Sequence, residues 1–430
     1  MSAEESTVPP PTFREAVRFW LKLGFISFGG SAGQIAIMHR ELVERRRWIS
    51  ESRFLHALNY CMLLPGPEAQ QLATYSGWLL HGVRGGLAAG ILFVLPSAIL
   101  LWALSWAYLT CGSLPWVAGL FYGLKPAVLA MVSAALVRIG TRVLKNGLMI
   151  ALALAAWVGL ASGRVPFPLL VAGAGLMGWL ASRLMPRWFS STQAGDAEVL
   201  EPARPAPSWS QTFRMVLICG GLWWAPTLVA GWVSGWTGTV FHQGLFFGKA
   251  AVVTFGGAYA VLPYVAQQAV ENFHWLSQGQ IMDGLGLAET TPGPLIMVLQ
   301  FVGFAGAWQN PGTLPPLLAG TLGAAISTWA TFAPCFLWIF VGAPYIERFR
   351  GNRDLNSALS AITAAVVGVI ANLALWFGWH VIWPAEAGVD WFAVAVALVA
   401  MTGLVRWKWE VPLVVAGAAL AGMVWQLLLK

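Results

Sequence analysis

The sequence predicts an all-α polytopic membrane protein with two homologous helical halves arranged as an inverted-topology repeat. Three observations carry this prediction: charged residues make up 10% of the 430 residues, hydrophobic residues make up 58%, and motifs of the first half recur in the second. Soluble domains carry about 25% charged residues, so these few charges cannot cover a water-exposed surface. The net charge of +7 is then typical of cytoplasmic loops rather than of nucleic-acid binding.

Apolar runs near the length of about 20 residues that a bilayer requires predict continuous helices in both halves. They lie at 87–109, 117–137, 147–163 and 167–183, at 317–341, 356–379, 390–405 and 411–429, and at about 213–235 between the halves. Residues 1–12 lack the basic and apolar regions of a signal peptide, and 184–210 has the composition of a linker outside the bilayer. The predicted divisions are a polar tail (1–12), a first repeat (13–183), a cytoplasmic linker (184–210), a connecting transmembrane helix (211–235) and a second repeat (236–430).

The halves match when the chain is compared with itself, which is the signature of an internal repeat. Chance similarity between apolar segments is the alternative, but Gly, Pro, Lys and Trp residues that share one register argue against it. In this register Phe28-Gly29-Gly30 falls on Phe255-Gly256-Gly257, Pro65-Gly66-Pro67 on Pro292-Gly293-Pro294, Lys22 on Lys249 and Trp48 on Trp275.

Positive charge lies in complementary loops of the two halves. Arg45 and Arg46 align with the uncharged Asn272 and Phe273, whereas Arg350 of the second half aligns with Gly112 of the first. Arg138 and Arg142, which follow the predicted helix 117–137, align with Trp376 and His380 and belong to the same set of positive loops. Because Lys and Arg accumulate on the cytoplasmic side, equivalent loops are predicted on opposite sides of the membrane. Many secondary transporters have this inverted repeat, and the connecting helix supplies the odd crossing that inversion requires. The N-terminus is predicted to be cytoplasmic.

Two segments in each half are interrupted and too short to cross the membrane alone. Residues 54–64 and 68–80, on either side of Pro65-Gly66-Pro67, would form helices about 16–20 Å long. Phe28-Gly29-Gly30 interrupts 13–37 in the same way. We predict re-entrant helices broken at these motifs, and a kinked spanning helix is the alternative.

The broken segments are candidate anion sites. A Gly-Gly pair admits positive φ angles, so that successive N–H groups converge on an anion. Pro-Gly-Pro ends one half-helix and starts another, whose N-terminal amides favour negative charge. A tight turn is the alternative for either motif alone, but the repetition of both favours binding. The candidate substrate-binding residues are Phe28, Gly29, Gly30, Pro65, Gly66, Pro67, Phe255, Gly256, Gly257, Pro292, Gly293 and Pro294, with Phe28 and Phe255 as apolar gates.

Charges inside apolar segments are a second guide, because each is costly there and marks a pathway. Lys22 and Lys249 either add positive charge to the anion site or extend to the membrane interface. Lys125 is the third candidate cation. Glu68 and Glu289, which flank the Pro-Gly-Pro breaks, are candidate proton carriers or helix caps. The polar lining candidates are Gln34, Gln70, Gln71, Thr290 and Thr291, and Asp283 is a further intramembrane charge without an assigned role.

The sequence gives no sign of an enzyme. The four Cys residues lie tens of residues apart without a CxxC pair, so neither a metal site nor a disulfide framework is predicted. Phosphate-binding loops, hydrolase nucleophile motifs, zinc-protease motifs and dinucleotide fingerprints do not occur. We therefore expect no catalysis, no cofactor and no nucleic-acid partner. The expected partners are the lipid bilayer and a small anion.

Several motif-bearing stretches resemble the chromate ion transporter superfamily. They are residues 28–36, 38–44 and 63–73 in the first half and 254–259 and 284–294 in the second. The resemblance extends over about 13–430 and is to the long, two-domain branch. Ser31 departs from the Pro expected after Phe-Gly-Gly, which affects the geometry expected for that turn.

The resemblance implies export of chromate across a bacterial inner (plasma) membrane, which confers chromate resistance, with sulfate as a structural mimic. An interior-negative potential contributes about 2.3 kcal/mol per charge per 100 mV, so it drives a dianion outward without ATP, and proton antiport is an additional coupling. A sulfate or molybdate permease, an anion channel and a membrane reductase are the alternatives. Whether the chain acts alone or as a homodimer is left open.

Overall fold

The computed structural model describes residues 11–27, 30–112, 114–163, 165–184, 208–255, 257–345, 353–384 and 388–428. All regular elements within these ranges are helical, which confirms the all-α class. Seven of the described helices are long and apolar enough to cross a membrane, as expected of a polytopic membrane protein. The predicted tail (1–12) and linker (184–210) lie almost entirely outside the described residues.

The first half contains seven helices and a π-helical turn among the described residues. The predicted spans at 117–137, 147–163 and 167–183 each correspond to one helix, and 87–109 is part of a longer one. In order, the elements are α1 (Phe13–Ile26), α2 (Gly30–His39), the π-helical turn Arg40–Arg45, α3 (Glu51–Cys61), α4 (Glu68–Cys111), α5 (Pro115–Val143), α6 (Gly147–Ala161) and α7 (Phe167–Leu184).

The second half has the same order of elements, preceded by the connecting helix α8 (Trp209–Ser234). All four continuous helices predicted for this half are present. The elements are α9 (Thr239–Val253), α10 (Ala258–Gln267), the π-helical turn Gln268–Asn272, α11 (Gln278–Thr290), the 3-10 turn Leu295–Met297, α12 (Val298–Gln309), α13 (Pro316–Gly342), α14 (Arg353–Ile382), α15 (Trp391–Val405) and α16 (Val411–Leu428).

Local sequence determines where several of these helices begin. Thr12 and Glu15 form a capping box at the start of α1, in which the Thr12 N–H donates to the Glu15 carboxylate at 2.8 Å. Ser277 and Gln280 form the same device at the start of α11. A capping box satisfies N–H groups that have no partner within the helix. The helices α5 and α13 begin instead at Pro115 and Pro316, whose fixed φ suits the first turn.

The 44-residue helix α4 is two helices in geometry. His81 and Gly82 leave the helical region, and Gly82 has φ 61° and ψ −151°. The chain reverses there and brings Gly77 against Gly85. The contact is so close that a Cβ atom on Gly77 would collide with the carbonyl oxygen of Gly85. The short segment 68–80 therefore packs against 83–111, and only the longer segment has the length of a membrane span.

The broken segments fold back on themselves. Beyond the Phe-Gly-Gly motif the chain returns to the middle of α1, where the Trp48 and Phe19 rings are 5.4 Å apart. In the second half the Trp275 and Phe246 rings are 5.8 Å apart. The predicted re-entrant segments require this chain path, and their return to one side of the membrane stays a prediction.

Backbone angles match at corresponding positions of the two halves. Gly66 has φ 117° and Gly293 has φ 119°. Gly30 (φ 68°) and Gly257 (φ 89°) also share the left-handed region, which favours glycine because any side chain is strained there. These matches support the predicted repeat, and the opposite orientation of the halves in the membrane stays a prediction.

The two halves are interlocked by close contacts between small residues. On α5, a Cβ atom at Gly123 would collide with the carbonyl oxygen of Ala418 on α16. On α14, a Cβ atom at Gly368 would collide in the same way with Ala153 on α6. Small residues allow helix backbones to approach closely in a membrane. Helix α5 of the first half thus packs on α16 of the second half, and α14 of the second half packs on α6 of the first.

A polar contact also joins the halves at the start of α14. Asp354 accepts a hydrogen bond from Ser182 Oγ at 2.7 Å and forms an ion pair with Arg183 at 3.1 Å. The Ser182 hydroxyl, and then Arg183, hold the pKa of Asp354 below its usual range. The contact ties the end of α7 to the start of α14.

Candidate anion site at the helix breaks

Each Pro-Gly-Pro break is held by the chain beside the Phe-Gly-Gly motif of the other half. The Gly66 N–H donates to the Thr254 carbonyl oxygen at 2.7 Å, and the Gly293 N–H donates to the Ser27 carbonyl oxygen at 2.7 Å. Reciprocal contacts of this kind are those that a twofold relation produces. The four breaks therefore form two crossed pairs, each with one motif from either half.

The residue before each Phe-Gly-Gly motif is shaped to accept this bond. Ser27 Oγ donates to the Leu23 carbonyl oxygen and Thr254 Oγ1 donates to the Ala250 carbonyl oxygen, both at 2.6 Å. These side-chain bonds to the preceding turn satisfy the buried hydroxyl groups where α1 and α9 end. The carbonyl groups of the same residues then point outward to the partner glycine.

A side chain from a proline-containing helix closes each crossed pair. A Cβ atom on Gly66 would lie 3.0 Å from Cys335 Sγ, and one on Gly293 would lie 2.5 Å from Ser97 Cβ. Ser97 and Cys335 are the residues after Pro96 and Pro334. These two prolines fall on each other when the two halves are compared. Both break glycines are therefore fixed by their φ angle and by a close neighbour from the other half.

The crossed contacts change which amide groups are free to bind an anion. Proline has no N–H group, and the one N–H group of each Pro-Gly-Pro motif already donates to a carbonyl oxygen. The donors that remain are the first N–H groups of α2, α4 and α10 and of the turn Leu295–Met297, because a helix leaves these without internal partners. The anion site predicted from the breaks depends on these helix starts.

Three buried glutamines surround the breaks. Gln34 Nε2 donates to the Gly293 carbonyl oxygen at 2.6 Å, and Gln71 Nε2 donates to the Pro65 carbonyl oxygen at 2.8 Å. Gln70 Nε2 donates to Thr74 Oγ1 at 3.2 Å. The Oε1 atoms of all three glutamines are buried and have no hydrogen-bond partner among the described residues. Buried acceptors of this kind need water or a protonated ligand.

The two break carboxylates lie near arginines of α5. Glu289 accepts a hydrogen bond from the Tyr259 hydroxyl, two residues beyond Gly257. Arg138 interacts electrostatically with Glu289, and Arg142 interacts with Glu68. The Tyr259–Glu289 contact thus connects the Phe-Gly-Gly and Pro-Gly-Pro motifs of the second half. The sequence had indicated these arginines only as markers of the cytoplasmic side, although their i, i+4 spacing at the end of an apolar helix was a signal.

The predicted lysines do not share one location. The side chains of Lys22 and Lys249 are exposed and make no ion pair with the described residues, which favours the interfacial alternative. Lys125 Nζ lies 4.0 Å from Asp283 Oδ1. Asp283 lies seven residues, or about 10 Å of helix, before the end of α11 at Thr290, so Lys125 lies toward the start of α11, away from the break that follows its end.

The remaining predicted site residues are placed as follows. The Thr290 and Thr291 hydroxyls donate to carbonyl oxygens of their own helix, α11, at 2.7 Å and 2.9 Å. Phe255 is half-buried. Pro67, Pro292 and Pro294 are buried, Pro65 is half-buried, and Phe28, Gly29 and Gly256 lie outside the described residues.

Comparison with known proteins identifies the family. A family model described as "Chromate transporter" matches residues 14–179 and 241–423, which are most of the two predicted halves. The chain belongs to the chromate transporter family. This assignment confirms the resemblance found in the motif-bearing stretches. The match of one family model to both segments also supports the predicted repeat.

Relatives extend over nearly the whole chain. A chromate transport protein of Cupriavidus metallidurans is 31% identical over 97% of this chain and 94% of its own length. A chromate transport protein of Pseudomonas aeruginosa is 33% identical over 85% of this chain and 81% of its own length. An uncharacterized transporter of Bacillus subtilis is 27% identical over 31% of this chain, a segment that is 68% of that relative. No solved structure matches this member of the chromate transporter family.

Proposed function

We propose that this protein is a secondary transporter that exports chromate from a bacterial cytoplasm, without catalysing a reaction. The observation that carries the proposal is the pair of crossed breaks, where half-helices of both halves begin and where Arg138 and Arg142 of α5 interact electrostatically with the carboxylates Glu289 and Glu68. Helix starts and guanidinium groups both favour negative charge. A site composed of such groups suits a small, doubly negative oxyanion.

The crossed breaks suggest how the two halves alternate. The carbonyl groups of Ser27 and Thr254 bridge from one half to the glycine of the other. A movement of one half against the other therefore changes both breaks together. In inverted-repeat transporters such a movement exposes a central site first to one side of the membrane and then to the other. Chromate bound at the helix starts would be carried by this exchange.

The driving force is the membrane potential, proton antiport or both. At 100 mV a dianion gains about 4.6 kcal/mol by leaving the cytoplasm, which corresponds to roughly three decades of concentration ratio. Glu289 is the candidate proton carrier, because it is half-buried and bonded to Tyr259 beside the breaks. Outward movement of chromate would confer resistance on the cell.

Flux measurements in proteoliposomes test the function. We expect chromate movement to follow an imposed voltage in the direction set by its negative charge, and sulfate to compete because it has the same shape and charge. Voltage and pH gradients are imposed separately, so that the two couplings are distinguished. A flux too fast for a carrier cycle would indicate a channel. Chromate retained unchanged under every gradient would contradict the proposal.

The predicted orientation is tested by labelling two equivalent residues. Glu44 and Glu271 are both exposed and lie within the equivalent π-helical turns of the two halves. With the exposed Cys111 replaced by Ser, we expect Glu44→Cys to react with an impermeant thiol reagent only from the cytoplasmic side. Glu271→Cys should react only from the opposite side, because the positive-inside rule places equivalent loops there. Reaction of both cysteines from one side would contradict the inverted repeat.

A further inference from the structure

A cavity of about 520 Å³ lies away from the crossed breaks, between α5, the start of α11 and the end of α14. Its volume is within the range of about 300–1,000 Å³ that is typical of ligand sites, and it can therefore hold an oxyanion together with water. The residues that line it include Lys125, Gln278, Gly279, Trp379, His380 and Trp383.

A buried carboxylate stands behind the lysine of this cavity. The Asp283 side chain is only 7% exposed, whereas that of Lys125 is 35% exposed. Asp283 Oδ2 accepts a hydrogen bond from the Tyr108 hydroxyl at 2.8 Å. Asp283 Oδ1 is buried, has no hydrogen-bond partner among the described residues, and lies 4.0 Å from Lys125 Nζ. The ammonium group is therefore located between the carboxylate and the cavity.

The contact between these charges is loose. A charge-assisted hydrogen bond between an ammonium and a carboxylate is about 2.7–2.9 Å long, and this pair is more than 1 Å longer. An ammonium group has three donors, so Lys125 can turn toward an anion in the cavity without moving its backbone. When no anion is there, a buried carboxylate without its partner is costly, which draws Lys125 back.

We propose that the cavity is a second binding site for a divalent oxyanion, in which Asp283 is a tethered counter-ion that competes with the anion for Lys125. This role rests on the proposed export function. The arriving dianion takes the ammonium from Asp283, and the carboxylate recovers it as the anion leaves. Competition of this kind weakens binding and speeds release, which a transporter needs at its exit.

The pair exists in one half only. In the first half the position equivalent to Asp283 is His56, and in the second half Lys125 is matched by Thr363. The cavity lies at the C-terminal end of α14, whereas Arg348 and Arg350 precede the beginning of that helix. The positive-inside rule then assigns the cavity to the side opposite the cytoplasm, where exported anion is released.

Asp283→Asn tests the counter-ion directly. We expect the half-saturating chromate concentration, measured from the cavity side, to fall about tenfold, because Lys125 loses its internal competitor, a change of about 1.4 kcal/mol. The maximal rate should fall by a similar factor, since release becomes slower. Asp390→Asn is the matched control, because Asp390 also accepts a tyrosine hydrogen bond, from Tyr122 at 2.6 Å, but makes no ion pair with a lysine in the described part of the chain.

A second readout does not depend on transport. On a background with Cys111 replaced by Ser, Gln278→Cys places a thiol in the cavity, where negatively and positively charged thiol reagents can be compared. We expect Asp283→Asn to raise the ratio of negative-reagent to positive-reagent rates about tenfold, because it exposes the charge of Lys125. The double variant Lys125→Gln/Asp283→Asn, which leaves no buried charge, should show no such rise and should bind chromate more weakly than the unmodified protein.

The two proposals fail in different ways. If the unmodified protein moves no dianion but Asp283→Asn raises the reagent ratio, the export function is wrong and the second anion site stands. If the unmodified protein transports chromate while Asp283→Asn changes neither the half-saturating concentration nor the reagent ratio, the tethered counter-ion is wrong. Should the single variant not insert, an unchanged half-saturating concentration in the double variant would equally overturn the second site.

Discussion

Replacing Gly66 or Gly293 by Val is expected to reduce chromate export about a hundredfold, while the protein still inserts into the membrane. Both glycines have φ near 120°, a conformation that costs a residue with a side chain about 1–3 kcal/mol. Each N–H group also bridges to the other half, so a displaced glycine separates the crossed pair. A loss of about 2.7 kcal/mol at the rate-limiting step corresponds to that hundredfold decrease. Everted vesicles measure the rate.

Paired variants separate the backbone angle from the steric contact. Gly293→Ala places a Cβ atom 2.5 Å from Ser97 Cβ, and Ser97→Gly removes that neighbour. If contact with Ser97 is the main cost, the double variant recovers export; if the φ angle dominates, it does not. Gly221→Val on α8 is the control, because a Cβ atom there meets no heavy atom within 4 Å. Normal export by both Gly66→Val and Gly293→Val would contradict an anion site at the breaks.

The helices were predictable because their signal is local. An apolar run of sufficient length specifies a spanning helix wherever it occurs, and the Gly and Pro motifs specify where the half-helices stop. The reversal at Gly82 was also predictable, because the predicted segments 68–80 and 87–109 leave a Gly-rich turn with Arg84 between them. Adjacent glycines there permit 68–80 and 83–111 to pack closely.

The crossed arrangement of the breaks could not be predicted from local patterns. The bond from Gly66 to Thr254 joins main-chain groups, and a main-chain contact leaves no residue-type signal beyond the need for glycine. The sequence therefore indicated that four breaks would converge without indicating which ones pair. It also listed Gly66 and Gly293 as substrate-binding residues, whereas in the structure their N–H groups donate to the Thr254 and Ser27 carbonyl oxygens.

Charges were found more easily than their partners. Lys125 and Asp283 were both recognisable as intramembrane charges, but they lie on α5 and α11, and only the packing of these helices brings them together. Arg138 and Arg142 were assigned to a cytoplasmic loop because the end of α5 was placed too early, near residue 137. The helix continues to Val143, which brings both arginines within electrostatic reach of the break carboxylates.

Glu289→Gln is expected to remove the response of export to pH while leaving its response to voltage. A glutamine retains the hydrogen bond with Tyr259 but cannot carry a proton across. If Glu289 couples proton entry to chromate exit, a gradient of one pH unit adds 1.36 kcal/mol per proton. It therefore changes the final chromate ratio about tenfold in the unmodified protein and not at all in the variant. Proteoliposomes held at a fixed voltage by a potassium ionophore measure this ratio.

Glu68→Gln is the matched comparison, because Glu68 also lies beside a Pro-Gly-Pro break and near an arginine of α5. It begins α4 directly after Pro67, where a carboxylate is stabilised by the N-terminal end of the helix and is suited to capping rather than proton transfer. We expect this variant to keep the pH response of the unmodified protein. A pH response that disappears in Glu68→Gln and persists in Glu289→Gln would exchange the two roles. A pH response that persists in both variants would show that neither carboxylate carries the coupled proton. Voltage would then be the driving force that acts at the breaks.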